Sequence, residues 1–203
     1  MPPPQEHIPG YTYGTSEVSV CPISPHELDE LKLTAGFTAE DHHHLQMAGE
    51  VLASQTGQIV NLWRSQIIAS IPHLARHSQT PDGNPIPEYL AASNLRFEQW
   101  ILDTCLRPYD RDWLNYQSEI ALRHTSLKKN MTDGVRSTPF VPFRDIIAFV
   151  PVMNQTIKTY LAAKGNSLHE VERMHAAWCR SIQLQLAIWA RLYIDIAPIA
   201  KEW

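Results

Sequence analysis

Apolar positions recur along most of this chain at helical rather than strand spacing. The plainest stripe is Trp113, Tyr116, Ile120, His124 and Leu127, with steps of three, four, four and three, which predicts a helix from near Asp110 to about Lys129. Leu90, Phe97 and Ile101 predict another, opened at Pro87 and stopped by Arg107-Pro108. Ser24-Pro25-His26-Glu27 reads as a capping box with Pro at the first helical position, starting a short helix to about Ala35 that Gly36 breaks. Thr38-Ala39-Glu40-Asp41 starts a longer one, expected to run through Trp63 to Ala69. After a loop holding at most a short helix at Pro72–Pro85, the pattern predicts a helix over 143–164 bent at Pro151. A second capping box, Ser167-Leu168-His169-Glu170, opens a last long helix carrying Trp178 and Trp189. No strand alternation and no internal repeat competes, so the expected fold is all-α, with six to eight helices in one domain. Residues 1–23, broken by Pro2-Pro3-Pro4, Pro9-Gly10, Gly14 and Pro22, are expected to form an irregular arm, and Tyr11 and Tyr13 suggest that it packs on the domain at 24–203.

Composition narrows the function classes. At 203 residues with 44% hydrophobic and 19% charged residues, the chain has the makings of a sizeable core. Its net charge of -4 offers no footprint for nucleic acid or an anionic membrane. Lys128-Lys129 is an adjacent basic pair that a solvated helix end explains. The longest apolar run, Ile146–Met153, is far below the ~20 residues of a membrane span. The beginning has no basic segment leading into an apolar one, so no secretory signal is expected, and a reducing cytoplasm is the expected home. Three widely spaced cysteines, without C-x-x-C or C-x-x-C-H, argue against a disulfide framework, a zinc ribbon and covalent c-type haem.

The candidate chemistry centres on histidine. His124 lies on an apolar helical face, so its imidazole needs a partner at each nitrogen. One nitrogen can meet a backbone carbonyl and the other wants a donor or a metal, and haem iron suits a single helix-borne His. By spacing alone, a satisfied core histidine is the more frequent outcome. His42-His43-His44 point about 100° apart on a helix and cannot converge on one ion. His73 and His77 have zinc-pair spacing but lack a nearby third ligand. No G-x-S-x-G elbow and no phosphate-cradling glycine loop occurs, and Cys105 and Cys179 read as small core hydrophobes.

Several segments resemble one family in order along nearly the whole chain. They are Ile8-Pro9-Gly10-Tyr11-Thr12-Tyr13-Gly14, Phe37-Thr38-Ala39-Glu40-Asp41, Ala48-Gly49-Glu50-Val51-Leu52, Pro81-Asp82-Gly83, Glu88-Tyr89-Leu90-Ala91-Ala92 and Trp100-Ile101-Leu102-Asp103-Thr104-Cys105. Most specific is Tyr109-Asp110-x-x-Trp113-Leu114-x-Tyr116-Gln117-x-Glu119-Ile120-x-Leu122-Arg123-His124, followed by Lys128-Lys129-Asn130. Together they are similar to protoglobins, single-domain haem proteins related to globin-coupled sensors.

The resemblance implies a globin fold, a helical sandwich with an N-terminal extension and an extra N-terminal helix, the extension packing near a b-type haem. It implies His124 as the iron ligand and the only metal-binding residue. Trp63 and Phe97 match distal-pocket aromatics, and Val141, Ile146 and Phe149 match cavity-lining positions. Where the family usually has Tyr after the distal Trp, this chain has Arg64, in a stretch to Pro72 about one residue longer than expected. Arg64 as a distal donor, Arg64 as a surface cation, and Ser65 or Gln66 at the haem all stand as readings. The implied activity is reversible binding of O2, CO or NO, as a gas sensor or carrier. The alternative is a haem enzyme acting on peroxide, nitric oxide or another small reactive ligand. A homodimer follows by analogy with globin-coupled relatives. A signalling or redox partner is implied for a sensor role, and with the chain ending at Trp203 sensing is expected to work in trans.

Overall fold

A computed structural model describes residues 7–200, with side chains through residue 195; Pro2-Pro3-Pro4 and Trp203 lie outside the described residues. The described residues form eight α-helices and no strand: α1 (Pro25–Ala35), α2 (Ala39–Leu52), α3 (Thr56–Asn61), α4 (Pro72–Ala75), α5 (Pro87–Leu106), α6 (Arg111–Leu122), α7 (Phe143–Leu161) and α8 (Leu168–Ala200). The all-α expectation holds.

Local chemistry sets most of the boundaries. At α1 the Ser24 hydroxyl accepts from the Glu27 N–H while the Glu27 carboxylate accepts from the Ser24 N–H, and Gly36 at φ 63° closes the far end. Thr38 and Asp41 form the same reciprocal cap at α2, as do Ser167 and Glu170 before α8. Arg107, extended before Pro108, ends α5 as anticipated.

Two expected helices stop early. The helix from Thr38 was expected to reach Ala69, but it breaks after Leu52. There the Gln55 side-chain amide donates to both the Val51 and Tyr160 carbonyls, so a partner more than a hundred residues away stabilises the turn. The helix from Asp110 was expected to reach about Lys129, but it ends at Leu122. Beyond it the N–H groups of His124 and Thr125 reach back three residues, to Ala121 and Leu122, and the Thr125 hydroxyl also donates to the Leu122 carbonyl. Leu127, placed on the apolar stripe by spacing, is therefore exposed.

The last helix, α8, is the spine of the molecule and packs against α1, α2, α5, α6 and α7. The five described tryptophans sink deep into this assembly. Trp63 donates to the Thr156 hydroxyl (2.8 Å), Trp100 to Gln185 (2.8 Å) and Trp189 to Gln117 (3.1 Å), so three indole N–H groups are satisfied while their rings fill the core; Trp113 and Trp178 are fully buried beside them. Helices α2 and α5 meet at Gly49, where an added Cβ would run into the Leu106 side chain and lie 3.0 Å from the Cys105 Cβ. Gly49→Ala is therefore expected to lower stability by ~1–3 kcal/mol in chemical unfolding, overriding the ~1 kcal/mol that alanine brings to a helix interior.

The arm before α1 is irregular, and its residues 8–23 are held by side chains of the domain. Arg123 donates to the Gly10 carbonyl (2.6 Å) and the Thr12 hydroxyl, Arg96 to the Pro9 carbonyl (2.6 Å), and the Tyr11 hydroxyl to Asp103 (2.7 Å). Tyr11 and Tyr13 both meet the Tyr116 ring edge-on at 5.3 Å, and the Arg107 guanidinium lies 4.5 Å above Tyr13. Gly10 has φ +72°, a conformation that favours glycine, and a Cβ there would sit 2.9 Å from the Arg96 guanidinium, which would have to shift.

Candidate functional site

The helices enclose a cavity of about 240 Å3, far more than the ~10–15 Å3 that a water needs. Its walls come from Arg64, the α5 face at Phe97, the end of α6 and the turn after it, Val141, the first half of α7, and α8 at Leu186 and Trp189. Of the seven residues singled out from the sequence, Arg64, Phe97, His124, Val141, Ile146 and Phe149 line this one space. Trp63 does not. It is fully buried one layer back, its ring 5.2 Å from that of Phe97, which it supports from behind.

His124 stands in the first turn after α6, where the α6 face points into the cavity. Its Nδ1 meets the Ile120 carbonyl at 2.8 Å, which assigns the proton to Nδ1 and leaves the Nε2 lone pair available. The Trp189 ring lies roughly parallel to it with centroids 6.0 Å apart. Its own carbonyl accepts from the Val141 N–H (2.8 Å), while the Val141 carbonyl accepts from the Tyr193 hydroxyl (2.9 Å), so α8 and the segment before α7 both brace the turn. Burial, opposed weakly by the Ile120 hydrogen bond, holds the His124 pKa down at about 4, and the imidazole is neutral near pH 7. A neutral, oriented imidazole with one free lone pair is a ligand for a metal or a proton.

Arg64 enters through a break in helical regularity. Leu62–Ile67 form a π-helical turn, in which the Ile68 N–H reaches the Trp63 and Arg64 carbonyls, followed by a 3-10 turn at Ile68–Ser70. With the wider turn, Trp63 faces the core and Arg64 the cavity while Ser65 and Gln66 are exposed. The Arg64 guanidinium lies 5.5 Å from the Phe97 ring centroid, with Nη1 3.5 Å from the Ser78 hydroxyl, and its buried Nε has no hydrogen-bond partner.

Lys129 and His77 also belong to the lining, and the sequence reading missed both. Lys129, which helical spacing puts at a solvated helix end, is 3% exposed. Because the helix stops at Leu122, the turns that follow carry Lys129 inward, where its ammonium donates to the His77 carbonyl (3.0 Å) and faces the Tyr89 ring. Lys128 instead pairs with Glu119 (2.6 Å). His77 accepts from or donates to the Thr138 hydroxyl at Nδ1 (2.7 Å), and burial pushes its pKa down to about 4, but His73 is exposed, so the two do not form a pair. Lone Lys and His residues in a turn-rich stretch carry no periodic signal that would have placed them inside.

Among the described residues no three His, Cys, Asp or Glu side chains converge to hold an ion. His43 is exposed and His42 packs on Tyr109, as non-converging histidines should. Of the two imidazoles in the lining, His77 is engaged by Thr138 and lies 4.0 Å from Asp145, which leaves His124 as a single oriented ligand in a largely apolar cavity, an arrangement that suits a flat metal macrocycle held from one side and not a free ion. Buried cations at Arg64 and Lys129 suit the two carboxylates that haem carries. The residues present fit haem. Among the described residues no helix is long and apolar enough to cross a membrane.

The model of one family, Protoglobin, matches residues 24–197. No curated protein matches the chain. The family match runs from the cap of α1 almost to the end of α8 and takes in the whole lining of the cavity, so the chain belongs to the protoglobin family, globins that hold haem and bind gases.

Proposed function

We propose that His124 is the proximal ligand of a non-covalent b-type haem and that the cavity on the opposite side reversibly binds O2, CO or NO. The observation that carries this reading is the His124 imidazole itself: neutral, oriented by the Ile120 carbonyl, and with Nε2 free at the wall of a ligand-sized apolar space. Bound haem would supply an iron whose open coordination position takes a diatomic ligand. The chain's own part is positional. The Ile120 bond fixes the tautomer and raises the basicity of Nε2, and Trp189 limits rotation of the ring. Phe97, Val141, Ile146 and Phe149 exclude water, while Arg64 offers guanidinium donors from the direction of α3. The arm at 8–14 is held by Arg96 and Arg123, two residues of the cavity lining, and in this reading it packs near the haem.

Purified protein is expected to carry or take up a single haem per chain, to release it fully into acidified organic solvent, and to give a reversible CO difference spectrum when reduced. A colourless protein that binds no added haemin would overturn the reading.

A further inference from the structure

Four cations and two carboxylates line the cavity. Arg96 is bound to Asp133 through two nitrogens (2.6 and 3.0 Å), and Arg123 pairs with Glu119 (2.9 Å). The other lining carboxylate, Asp145, lies 4.0 Å from His77 and 3.9 Å from Arg144. Arg64 and Lys129 are left, and among the described residues neither forms an ion pair. Lys129 has one carbonyl and an aromatic face for its three donors, and Arg64 has one hydroxyl at the limit of hydrogen bonding and a buried Nε with nothing to donate to.

Two buried like charges repel and are costly to desolvate, so a fold that keeps them without a carboxylate needs an anion from elsewhere. Both are harder to charge than usual: Lys129 is held down at about 8 by burial and by the Arg64 charge, and Arg64 is lowered mainly by burial.

We propose that Arg64 and Lys129 form an anion-binding site inside the cavity, which takes a carboxylate or a similarly planar small oxyanion between guanidinium and ammonium. Guanidinium presents paired donors that match such an anion's two oxygens, and the ammonium acts as a compact second charge. The carboxylate can belong to the haem or to a free ligand that shares the cavity with it. The site rests on the proposed haem function only in the first case.

Formate is a suitable probe, being planar, small and inert to redox chemistry under these conditions. Thermal unfolding of the haem-free protein is followed against formate at constant ionic strength, and formate binding to the haem-loaded ferric protein is followed by absorption. Both are repeated with Arg64→Leu, Lys129→Met and Arg64→Lys, and with haemin replaced by its dimethyl ester. If the anion is a free ligand, formate raises the unfolding temperature of the wild type. Its dissociation constant then weakens about ten- to a hundredfold in Arg64→Leu and Lys129→Met whichever form of haem is loaded, and Arg64→Lys recovers part of the loss. If the anion is the haem's own carboxylate, formate does not bind to the haemin-loaded protein, but the wild type prefers haemin to the ester by about tenfold or more and the two charge-removing variants lose that preference. Formate without effect and equal uptake of haemin and ester by all variants would overturn the site. A protein that takes up neither haem form ends the haem reading alone, since stabilisation of the haem-free protein by formate still decides this one.

Discussion

His124→Ala is expected to strip the protein of stably held haem. No thioether link is available, because the chain has no C-x-x-C-H, so the iron–imidazole bond is the one bond to the metal and the rest of the retention is non-covalent. Removing the imidazole deletes the single metal ligand and opens a gap between the Ile120 carbonyl and Trp189. It also removes the hydrogen-bond partner of that carbonyl, so added imidazole fills a site with one polar anchor already in place. The Soret band of freshly purified variant should be weak or absent, and millimolar imidazole, on the order of a typical weak-ligand dissociation constant, should restore it. His42, His43 and His44 replaced together should leave the spectrum as it is in the wild type, since none of them lines the cavity: His42 packs on Tyr109, and the His43 and His44 rings meet each other. Loss of haem in the triple variant with a normal spectrum in His124→Ala would reverse the assignment.

Arg64→Leu is expected to separate the gases. A guanidinium favours a ligand whose outer atom gathers negative charge, as that of dioxygen does and that of carbon monoxide does not. A charge-assisted hydrogen bond contributes ~1.5–3 kcal/mol, so stopped-flow O2 release should speed up roughly tenfold to a hundredfold, whereas CO affinity changes far less. The same substitution should make the haem-free protein more stable, because leucine removes a buried charge that has no counter-ion. One kcal/mol corresponds to ~2–4 °C in a chain of this size, so the gain should be visible as a few degrees in the unfolding temperature. Equal, small effects on both gases would place the guanidinium on the haem edge instead of above the iron.

Much of the helix inventory was legible because its signals are local. The caps at Ser24, Thr38 and Ser167, the stop at Arg107-Pro108 and the breaker at Gly36 act within a few residues, and the structure has each of them where the sequence puts it. Five of the cavity-lining residues were legible for two reasons: His124 and Phe97 sit on apolar helical stripes, and these two with Val141, Ile146 and Phe149 occupy positions matched by a family resemblance. Trp63 was found as an important aromatic, but its layer was not, because spacing shows that a residue is inward-facing and not how far it lies from a ligand.

What the sequence determined by itself is therefore the all-helical class, most helix starts, and a lone imidazole facing inward. Only the tertiary structure decided where two helices stop, since Gln55 draws its turn from Tyr160 and the chain beyond Leu122 is held by partners at His77, Val141 and Glu119. It also decided that Arg64, not Ser65 or Gln66, faces the cavity, because one π-helical turn rotates everything after it. Lys129 shows the reason most directly. Helical spacing treats it as the solvated neighbour of Lys128, but burial depends on where distant segments meet, and a periodicity confined to one segment cannot carry that information.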